Sequence, residues 1–347
     1  MKFLLASGCT ALAALLICFP ALAQDEWTGG FFGAAEAERM FGTQAEEITI
    51  DDARTYMLEL VNRERAKLKL QPLAMDEYAQ KVGQWHADEM AVHSYISHWD
   101  IQGFTPTMRY TAGGGNDGMS ENVTFFACGV RVYLTRKVVE YMHSSFMGSE
   151  GHRVNLLKPE HNKLGVGIGF ALFPTGECVF TCDQTFVDDY GGLAPIPQSI
   201  KLGEPIAVSG TLDIKRAKLR YVGLGWDPFP QPIAPEAMNA NLMGGQNPGS
   251  YNLFLPKGSA APEGAAVPTD ELVEWNSETG KYSCTLDLSK PLPGTPMPPD
   301  GAGGPGTPGV YYIFIWATLD KSLVPEGWEN REDYFFLAGV WTLGGVN

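Results

Sequence analysis

The sequence is short of positive charge. It carries 25 Lys and Arg residues against 40 Asp and Glu residues, which gives a formal net charge of -15 at pH 7. Nucleic acids and anionic membrane surfaces are bound through clusters of basic side chains. The acidic balance therefore argues against nucleic-acid binding and against docking to an anionic membrane. With 44% hydrophobic and 19% charged residues, the chain has the composition of a globular protein and not of a disordered one.

Long hydrophobic runs are missing after the first 23 residues. Residues 1–23 contain a positive start, an apolar run and a small-residue cleavage site, in the order typical of a signal peptide. We expect cleavage near Ala23–Gln24 and a secreted, periplasmic or extracellular location. No later segment reaches the length needed to cross a bilayer as a helix, so we expect no membrane span after cleavage.

Cysteine is scarce, and two of the six cysteines lie in the predicted signal peptide. The mature chain keeps Cys128, Cys178, Cys182 and Cys284. Exported proteins form disulfides, and four cysteines allow three full pairings. Cys178 and Cys182 fall on one predicted strand, and four residues along a strand span roughly 13 Å, which is too far for a disulfide or for shared ligation of one ion. We expect one of these two to pair with Cys128.

Histidine is confined to one part of the chain, because all six histidines lie between residues 86 and 161. Imidazole titrates near neutral pH and ligates transition metals, so this confinement indicates where chemistry or binding takes place. The stretch from Ser97-His98 through Glu121-Asn122 to Gly151-His152 is the candidate site. His86 falls on one face of a predicted helix, and we expect it to pack there rather than to bind a ligand.

Residues 49–190 alternate helical and extended patterns. Thr49 and Asp76 each precede an apolar pattern of helical spacing and can cap the helices that follow. A third helix is predicted from Arg136 to Met147. Extended segments are predicted at 121–126, 164–170 and 178–187. The order of helix, helix, strand, helix and hairpin predicts an α+β domain over residues 49–190.

The segments on either side of this domain differ from it in composition. Residues 24–48 are acidic, rich in Gly and Ala, and aperiodic, so we expect a flexible leader there. Residues 191–200 contain Gly and Pro and are the expected linker. Strand-like segments follow at 205–210, 217–224, 251–255, 282–288, 311–319 and 334–343. Without a convincing helical pattern among them, they predict an all-β sandwich domain over residues 201–347.

Six short motifs within residues 50–190 occur in a characteristic order. They are Leu60-Val61-Asn62-Arg63-Glu64-Arg65, Ser97-His98, Pro106-Thr107-Met108-Arg109-Tyr110, Glu121-Asn122-Val123, Gly151-His152-Arg153-Val154-Asn155-Leu156-Leu157 and Gly165-Val166-Gly167. Each is weak alone, but together they resemble the CAP superfamily, the domain also called SCP or cysteine-rich secretory protein domain, in its bacterial form. The resemblance covers about 40% of the chain and does not extend to residues 200–347.

The resemblance implies an α-β-α sandwich with a cleft that holds two histidines and two acids. Carried over by motif, the histidines are His98 and His152 and the first acid is Glu121. Phe146 stands where many eukaryotic members have the tryptophan that precedes the second acid. Glu150 is then the expected second acid, ahead of Glu140.

Three functions follow from this cleft. In the first, it binds a divalent cation, with His98 and His152 as metal ligands and Zn²⁺ or another divalent cation as the cofactor, or else a small lipid-like or peptide ligand or an envelope component. In the second, the protein is a metal-assisted hydrolase of peptide or cell-wall material with Glu121 as the general base. In the third, it is a structural or adhesive envelope protein with an inert cleft. The sequence leaves open whether any reaction is catalysed.

A serine hydrolase is not favoured by the sequence. Several serines lie near histidines along the chain, namely Ser120, Ser144, Ser145 and Ser149. None of them stands in the Gly-x-Ser-x-Gly turn that exposes the nucleophile of α/β-hydrolases.

Overall fold

The computed structural model describes residues 30–42, 46–201, 203–240, 251–259, 272–288, 306–326 and 335–346. The predicted signal peptide, residues 1–23, lies outside the described residues. Within these ranges the protein is a mixed α/β structure. None of the helices there combines the length and the apolar composition needed to cross a bilayer.

Seven α-helices occur in the described residues. They are α1 (Ala34–Phe41), α2 (Ile50–Lys67), α3 (Glu77–His93), α4 (Pro106–Ala112), α5 (Arg136–Gly148), α6 (Glu150–Leu156) and α7 (Pro235–Ala240). The two predicted caps are confirmed, because Thr49 accepts a hydrogen bond from the Asp52 amide and Asp76 accepts one from the Ala79 amide. Each cap satisfies an amide that the first turn of a helix leaves without a partner.

The strands form three sheets. They are β1 (Phe31–Phe32), β2 (Ala74–Met75), β3 (Gly118–Cys128), β4 (Lys163–Leu172), β5 (Cys178–Asp188), β6 (Gly191–Leu193), β7 (Pro205–Leu212), β8 (Ala217–Asp227), β9 (Tyr251–Phe254), β10 (Glu274–Trp275), β11 (Lys281–Asp287), β12 (Gly309–Leu319) and β13 (Phe335–Val346). The sheet orders are β1-β3-β5-β4-β2, β10-β11-β7-β6 and β13-β12-β8-β9. All six strand-like segments predicted after residue 200 are confirmed as strands.

The first sheet positions the candidate site. In β3 and β5 the paired residues alternate between two faces, and Val123 lies opposite Asp183 while Asn122 lies opposite Gln184. The face with Glu121 and Asp183 lies against α3, whereas the other face packs its apolar residues against α2 and α5. The cleft acids therefore lie between the sheet and α3.

Alternate glycines in β4 allow α3 to pack directly on the sheet. A Cβ added at Gly167 would overlap the backbone oxygen of Gly83. A Cβ added at Gly165 or Gly169 would come equally close to backbone atoms of α3. The contacting pairs are Gly165 with Ala79, Gly167 with Gly83, and Gly169 with Ala87. This spacing of two along the strand and four along the helix explains the repeated glycine of β4.

The predicted flexible leader, residues 24–48, is corrected in its described part. Phe31 and Phe32 pair in parallel with the end of β3, and α1 follows. Phe32 and Phe41 are buried in the apolar cluster beneath α5. The aromatic residues give this segment enough apolar surface to bury. The prediction failed because it rested on the Gly and Ala content and gave no weight to these aromatic residues.

The region after residue 200 also contains more than strands. The helix α7 and a 3₁₀ turn at Lys321–Leu323 interrupt it. Met108 of α4 and Val187 of β5 share an apolar cluster with Tyr312 and Phe314 of β12. The two halves of the chain are therefore in direct apolar contact.

Cys128, Cys178, Cys182 and Cys284 are thiols in the structure. Cys178 lies directly opposite Cys128 across the β3–β5 ladder, and the two thiols are hydrogen-bonded. Cys182 lies opposite Thr124 instead. The expected disulfide is thus not formed, although the strand register selects Cys178 as the neighbour of Cys128.

Replacing Gly167 by Ala tests the close contact between α3 and β4. The added methyl group would overlap the backbone of Gly83, so we expect the free energy of unfolding to fall by about 1–3 kcal/mol. Chemical denaturation measures this change. Gly192→Ala is the matched control, because no atom lies within 4 Å of its added Cβ. Equal stability of the two variants would contradict the packing described here.

Candidate functional site

Glu121 is the centre of the site and is almost completely buried in β3. Arg109 of α4 donates from Nη2 to Glu121 Oε2 at 2.5 Å, and its Nη1 donates to the backbone oxygens of His98 and Phe104. The other carboxylate oxygen, Oε1, accepts a hydrogen bond from His98 Nδ1 at 2.9 Å. One buried ion pair thus joins β3, α4 and the loop that carries His98.

A second carboxyl group lies beside Glu121. Asp183 of β5 is fully buried, forms a hydrogen bond with Glu121, and accepts one from Thr185 Oγ1 at 2.8 Å. Burial raises the pKa of Asp183 well above its usual value, and the charge of Glu121 raises it further. Burial also raises the pKa of Glu121, but the Arg109 guanidinium partly offsets this effect, and Asp183 has no such direct ion pair among the described residues. We therefore assign the negative charge to Glu121 and the shared proton to Asp183.

His86 of α3 completes this arrangement. Its Nε2 lies 2.9 Å from the Ser97 carbonyl oxygen, which can only accept, so Nε2 carries the proton and Nδ1 carries the lone pair. Nδ1 is buried and has no hydrogen-bond partner among the described residues. Burial, and then the positive charge of Arg109, lower the pKa of His86 well below its usual value. The ring is therefore neutral and available as a ligand.

The Glu121 group, defined as His86, Glu121 and Asp183, fits a metal ion by its chemistry. Each residue offers one ligand atom, and the three atoms lie within 4.8 Å of one another. One imidazole and two carboxylates are ligands that Zn²⁺ accepts. The buried lone pair on His86 Nδ1 and the contact between two acids are both features that a bound cation would stabilise.

Of the two histidines expected from the sequence, His98 contacts the Glu121 group, and His152 lies near enough to His98 for their charges to interact. His98 donates to Glu121, which leaves its Nε2 as the nitrogen that can ligate. His152, on α6, packs its ring edge-on against Phe146 with centroids 5.5 Å apart. Burial, with a smaller contribution from Arg109, lowers the pKa of His98 to about 4, and burial, with a smaller contribution from His98, lowers that of His152 to about 4. Both are therefore neutral at pH 7.

The acids proposed from the sequence as the second cleft acid lie elsewhere. Glu150 is exposed at the first turn of α6, and Glu140 is exposed on α5, where it accepts a hydrogen bond from the Tyr56 hydroxyl at 2.6 Å. The acid in contact with Glu121 is Asp183, which comes from the neighbouring strand. The sequence did carry one sign of it, since an aspartate within a buried strand needs a partner.

The second half of the chain holds the loop that carries His98. The Ile233 amide donates to the Ile101 carbonyl oxygen at 3.0 Å. Asn239 of α7 donates to the Ser94 carbonyl oxygen at 3.0 Å and accepts from the Ile96 amide at 3.2 Å. Residues 233–239 therefore fix the segment that leads from α3 to the site.

Comparison with known proteins agrees with the motifs. The model of the Cysteine-rich secretory protein family, CAP, matches residues 58–183. This confirms the resemblance drawn from residues 50–190. A curated relative, the uncharacterized protein YkwD of Bacillus subtilis (strain 168), is 30% identical over 134 residues, which are 38% of this chain and 49% of the relative. The chain thus spans about half the length of the curated relative that it matches.

Three solved structures are similar over less than half of this chain. An extracellular protein containing a SCP domain from Bacillus anthracis str. Ames is 24% identical, with 42% of this chain and 45% of that chain covered and a TM-score of 0.32. An outer surface protein from Borrelia burgdorferi is 17% identical, with 42% and 98% covered and a TM-score of 0.32. A cysteine-rich secretory protein from Staphylococcus aureus subsp. aureus Mu50 is 13% identical, with 43% and 44% covered and a TM-score of 0.30.

Titration of His98 and His152 by NMR tests the electrostatics of the site. We expect both rings to stay neutral down to about pH 4 because burial lowers their pKa values, whereas histidine in an unfolded chain titrates near about 6.5. Since the folded-state pKa is the lower one, the stability that each ring contributes is present above about pH 6.5 and is lost as the pH falls toward 4.

His98→Gln and His152→Gln assign the two ring signals in that experiment. The free energy of unfolding should also fall less in each variant than in the wild type as the pH is lowered from about 6.5 to 4. A titration midpoint near 6.5 for either ring would contradict its burial.

Proposed function

We propose that this is an exported CAP-domain protein that binds a divalent cation, with Zn²⁺ favoured, at the Glu121 group. The observation that carries the proposal is the meeting of three buried ligand atoms within 4.8 Å. Two carboxyl groups in contact require either a proton or a cation between them, because two adjacent buried negative charges repel strongly. The neighbouring lone pair of His86 Nδ1 favours the cation.

His98 and His152 have two possible roles around such an ion. In the arrangement supported by the hydrogen bonds, His98 orients Glu121 from outside the ligand set, as residues around metal ligands commonly do. In the arrangement expected from the sequence, His98 and His152 are themselves the ligands. A small lipid-like or peptide ligand, or an envelope component, would then reach the ion from the side of His152, which is partly exposed.

The metal-assisted hydrolase is less well supported. Its general base would be Glu121, yet both oxygens of this carboxylate are engaged, one by His98 and the other by Arg109. Burial raises the pKa of Glu121, and the ion pair with Arg109 offsets this only in part. Because both oxygens are engaged, Glu121 nevertheless suits the role of a fixed anion better than that of a base.

The packing supports the division into domains that the sequence predicts. Residues 49–190 form the CAP-like domain, in which α3 on one face and α2 with α5 on the other support an α-β-α sandwich. Residues 201–347 form the second domain, and β6 of the expected linker 191–200 adds an edge strand to one of its sheets. Its two four-stranded sheets share one apolar cluster that includes Val208, Leu286, Val222 and Ile313, which supports a β-sandwich. Residues 1–23 would direct export.

Calorimetric titration of Zn²⁺ into the metal-stripped mature protein, residues 24–347, tests the proposal. We expect a dissociation constant in the micromolar range or below, weakened by about 10–100-fold or more in His86→Gln and Asp183→Asn because each removes a ligand. His93→Gln is the control, since His93 is an exposed histidine on the same helix. Circular dichroism confirms that each variant is folded.

The outcomes separate the two ligand sets. If His98→Gln and His152→Gln abolish binding while His86→Gln leaves it unchanged, the ion lies between the two histidines expected from the sequence. If the wild type binds no Zn²⁺, the cation proposal is wrong. Binding at the Glu121 group should also release the Asp183 proton, so the measured enthalpy should differ between buffers of different ionisation enthalpy.

A further inference from the structure

A second histidine–carboxylate pair lies outside the Glu121 group. His161, in the connection between α6 and β4, places Nδ1 2.6 Å from Asp188 Oδ1 at the end of β5. On the other side of the ring, Nε2 lies 3.3 Å from Ser120 Oγ and also 3.3 Å from Asn155 Oδ1. Serine, histidine and aspartate thus follow one another in the order nucleophile, base and orienting acid.

The strand register explains how the three side chains meet. Ser120 lies in β3 two residues after Gly118, and Gly118 is paired with Asp188 of β5. Residues two apart on a strand share a face, so Ser120 and Asp188 point to the same side of the sheet. His161 lies over this face with its ring stacked on Phe186, at a centroid distance of 4.8 Å and an interplanar angle of 16°.

The position of His161 is held by a fully buried arginine. Arg65 of α2 donates to the backbone oxygens of Leu156, Lys158 and His161 at 2.8–3.0 Å. Gln71 donates to the His161 oxygen as well, at 3.3 Å. A base that is held in this way at both its backbone and its ring needs little reorganisation to act.

A nucleophilic site needs a nucleophile that substrate can reach and a base that is shielded from water, and the burial of the three residues differs in this way. His161 is 1% exposed and Asp188 is 4% exposed, whereas Ser120 is only partly buried. Ser120 is thus the residue of the three with access to solvent, while water is kept from the histidine–aspartate pair. The hydroxyl donates to Asn155 Oδ1 at 2.9 Å in the resting structure. Rotation about its Cβ–Oγ bond redirects the proton toward His161 Nε2.

We propose that Ser120 is a nucleophile activated by His161, with Asp188 as the positioning residue, in a site for small activated acyl esters. In the first step the Ser120 proton passes to Nε2, Oγ bonds to the acyl carbon, and the departing alcohol takes the proton from Nε2. In the second step water gives a proton to Nε2, its oxygen bonds to the acyl carbon, and the bond to Oγ breaks. The proton returns from Nε2 to Oγ, so the site is regenerated without another reactant.

The charges around the pair determine the pH at which Nε2 can act as a base. Arg65, Lys158, Glu160 and Tyr190 surround it, and burial raises the pKa of Asp188 to about 8. Burial lowers the pKa of His161 well below its usual value. Below about pH 8 the protonated Asp188 donates to Nδ1 and the ring proton sits on Nε2. Above about pH 8, the aspartate accepts from Nδ1 and Nε2 becomes free to accept the serine proton.

Covalent labelling with a fluorophosphonate probe tests the proposal on the mature protein. We expect mass spectrometry to find the label on Ser120, at a rate that increases as the pH rises through about 8. His161→Gln should slow labelling by about 100-fold or more, Asp188→Asn should slow it and alter the pH profile, and Ser120→Ala should remove it. Ser144 is the internal control, because its exposed hydroxyl donates only to a backbone oxygen of its own helix.

All reactions contain EDTA, so the result is independent of cation binding at the Glu121 group. Wild-type protein that takes up no label at Ser120 would overturn the proposal, whether or not the variants fold. A rate at Ser120 that is unchanged in folded His161→Gln protein would do the same, since Ser120 would then react without the base. Hydrolysis of p-nitrophenyl acetate with an initial burst, lost in Ser120→Ala, is the expected second readout.

Discussion

The ion pair between Arg109 and Glu121 is the interaction on which the site depends. Its two charged groups are almost completely shielded from water, and removing one partner of such a pair typically costs about 3–5 kcal/mol because the other is left uncompensated. Arg109 also holds the backbone of His98 and Phe104. The same guanidinium thus holds the His98 loop in position and stabilises the charge of Glu121. A change at Arg109 would therefore alter both the position of the loop and the charge state of Glu121.

The site is also shared between the two halves of the chain. The family similarity ends at residue 183, yet Ile233 and Asn239 bond the loop between α3 and His98. A ligand that holds this loop in place would therefore also favour its contact with α7. The contact with α7 would favour ligand binding by the same free energy, because coupling between sites is reciprocal. The C-terminal half thus helps to hold the loop that carries His98.

Regular elements were predictable from the sequence wherever one periodicity dominated. The helices capped by Thr49 and Asp76, and the strands of β4 and β5, follow local patterns that need no knowledge of the rest of the chain. The short helices α4 and α6 were missed because their contacts, and not their seven-residue patterns, stabilise them.

The site was predictable only in part, for the same reason. Motifs selected His98, Glu121 and His152, since family resemblance retains positions along the chain, and the structure brings His98 into contact with Glu121. Asp183 and His86 could not be assigned, because their roles arise from strand register and from the closeness of α3 to the sheet. Glu150 was chosen by its distance along the sequence, whereas the strand pairing brought a different acid to Glu121.

The buried Arg65 has a consequence for how the chain folds. Three of its acceptors lie 91, 93 and 96 residues further along the sequence, and the fourth is the nearby Gln71 carbonyl oxygen. Until that long loop closes, α2 can dock on the sheet only by placing in the interior a charge that has the Gln71 carbonyl oxygen but lacks its three distant acceptors, which is unfavourable. Early collapse of the helix alone is thus penalised, and docking waits for the segment after α6 to arrive. A single side chain therefore makes assembly of this half of the protein a late and cooperative event, dominated by contacts between residues distant in sequence.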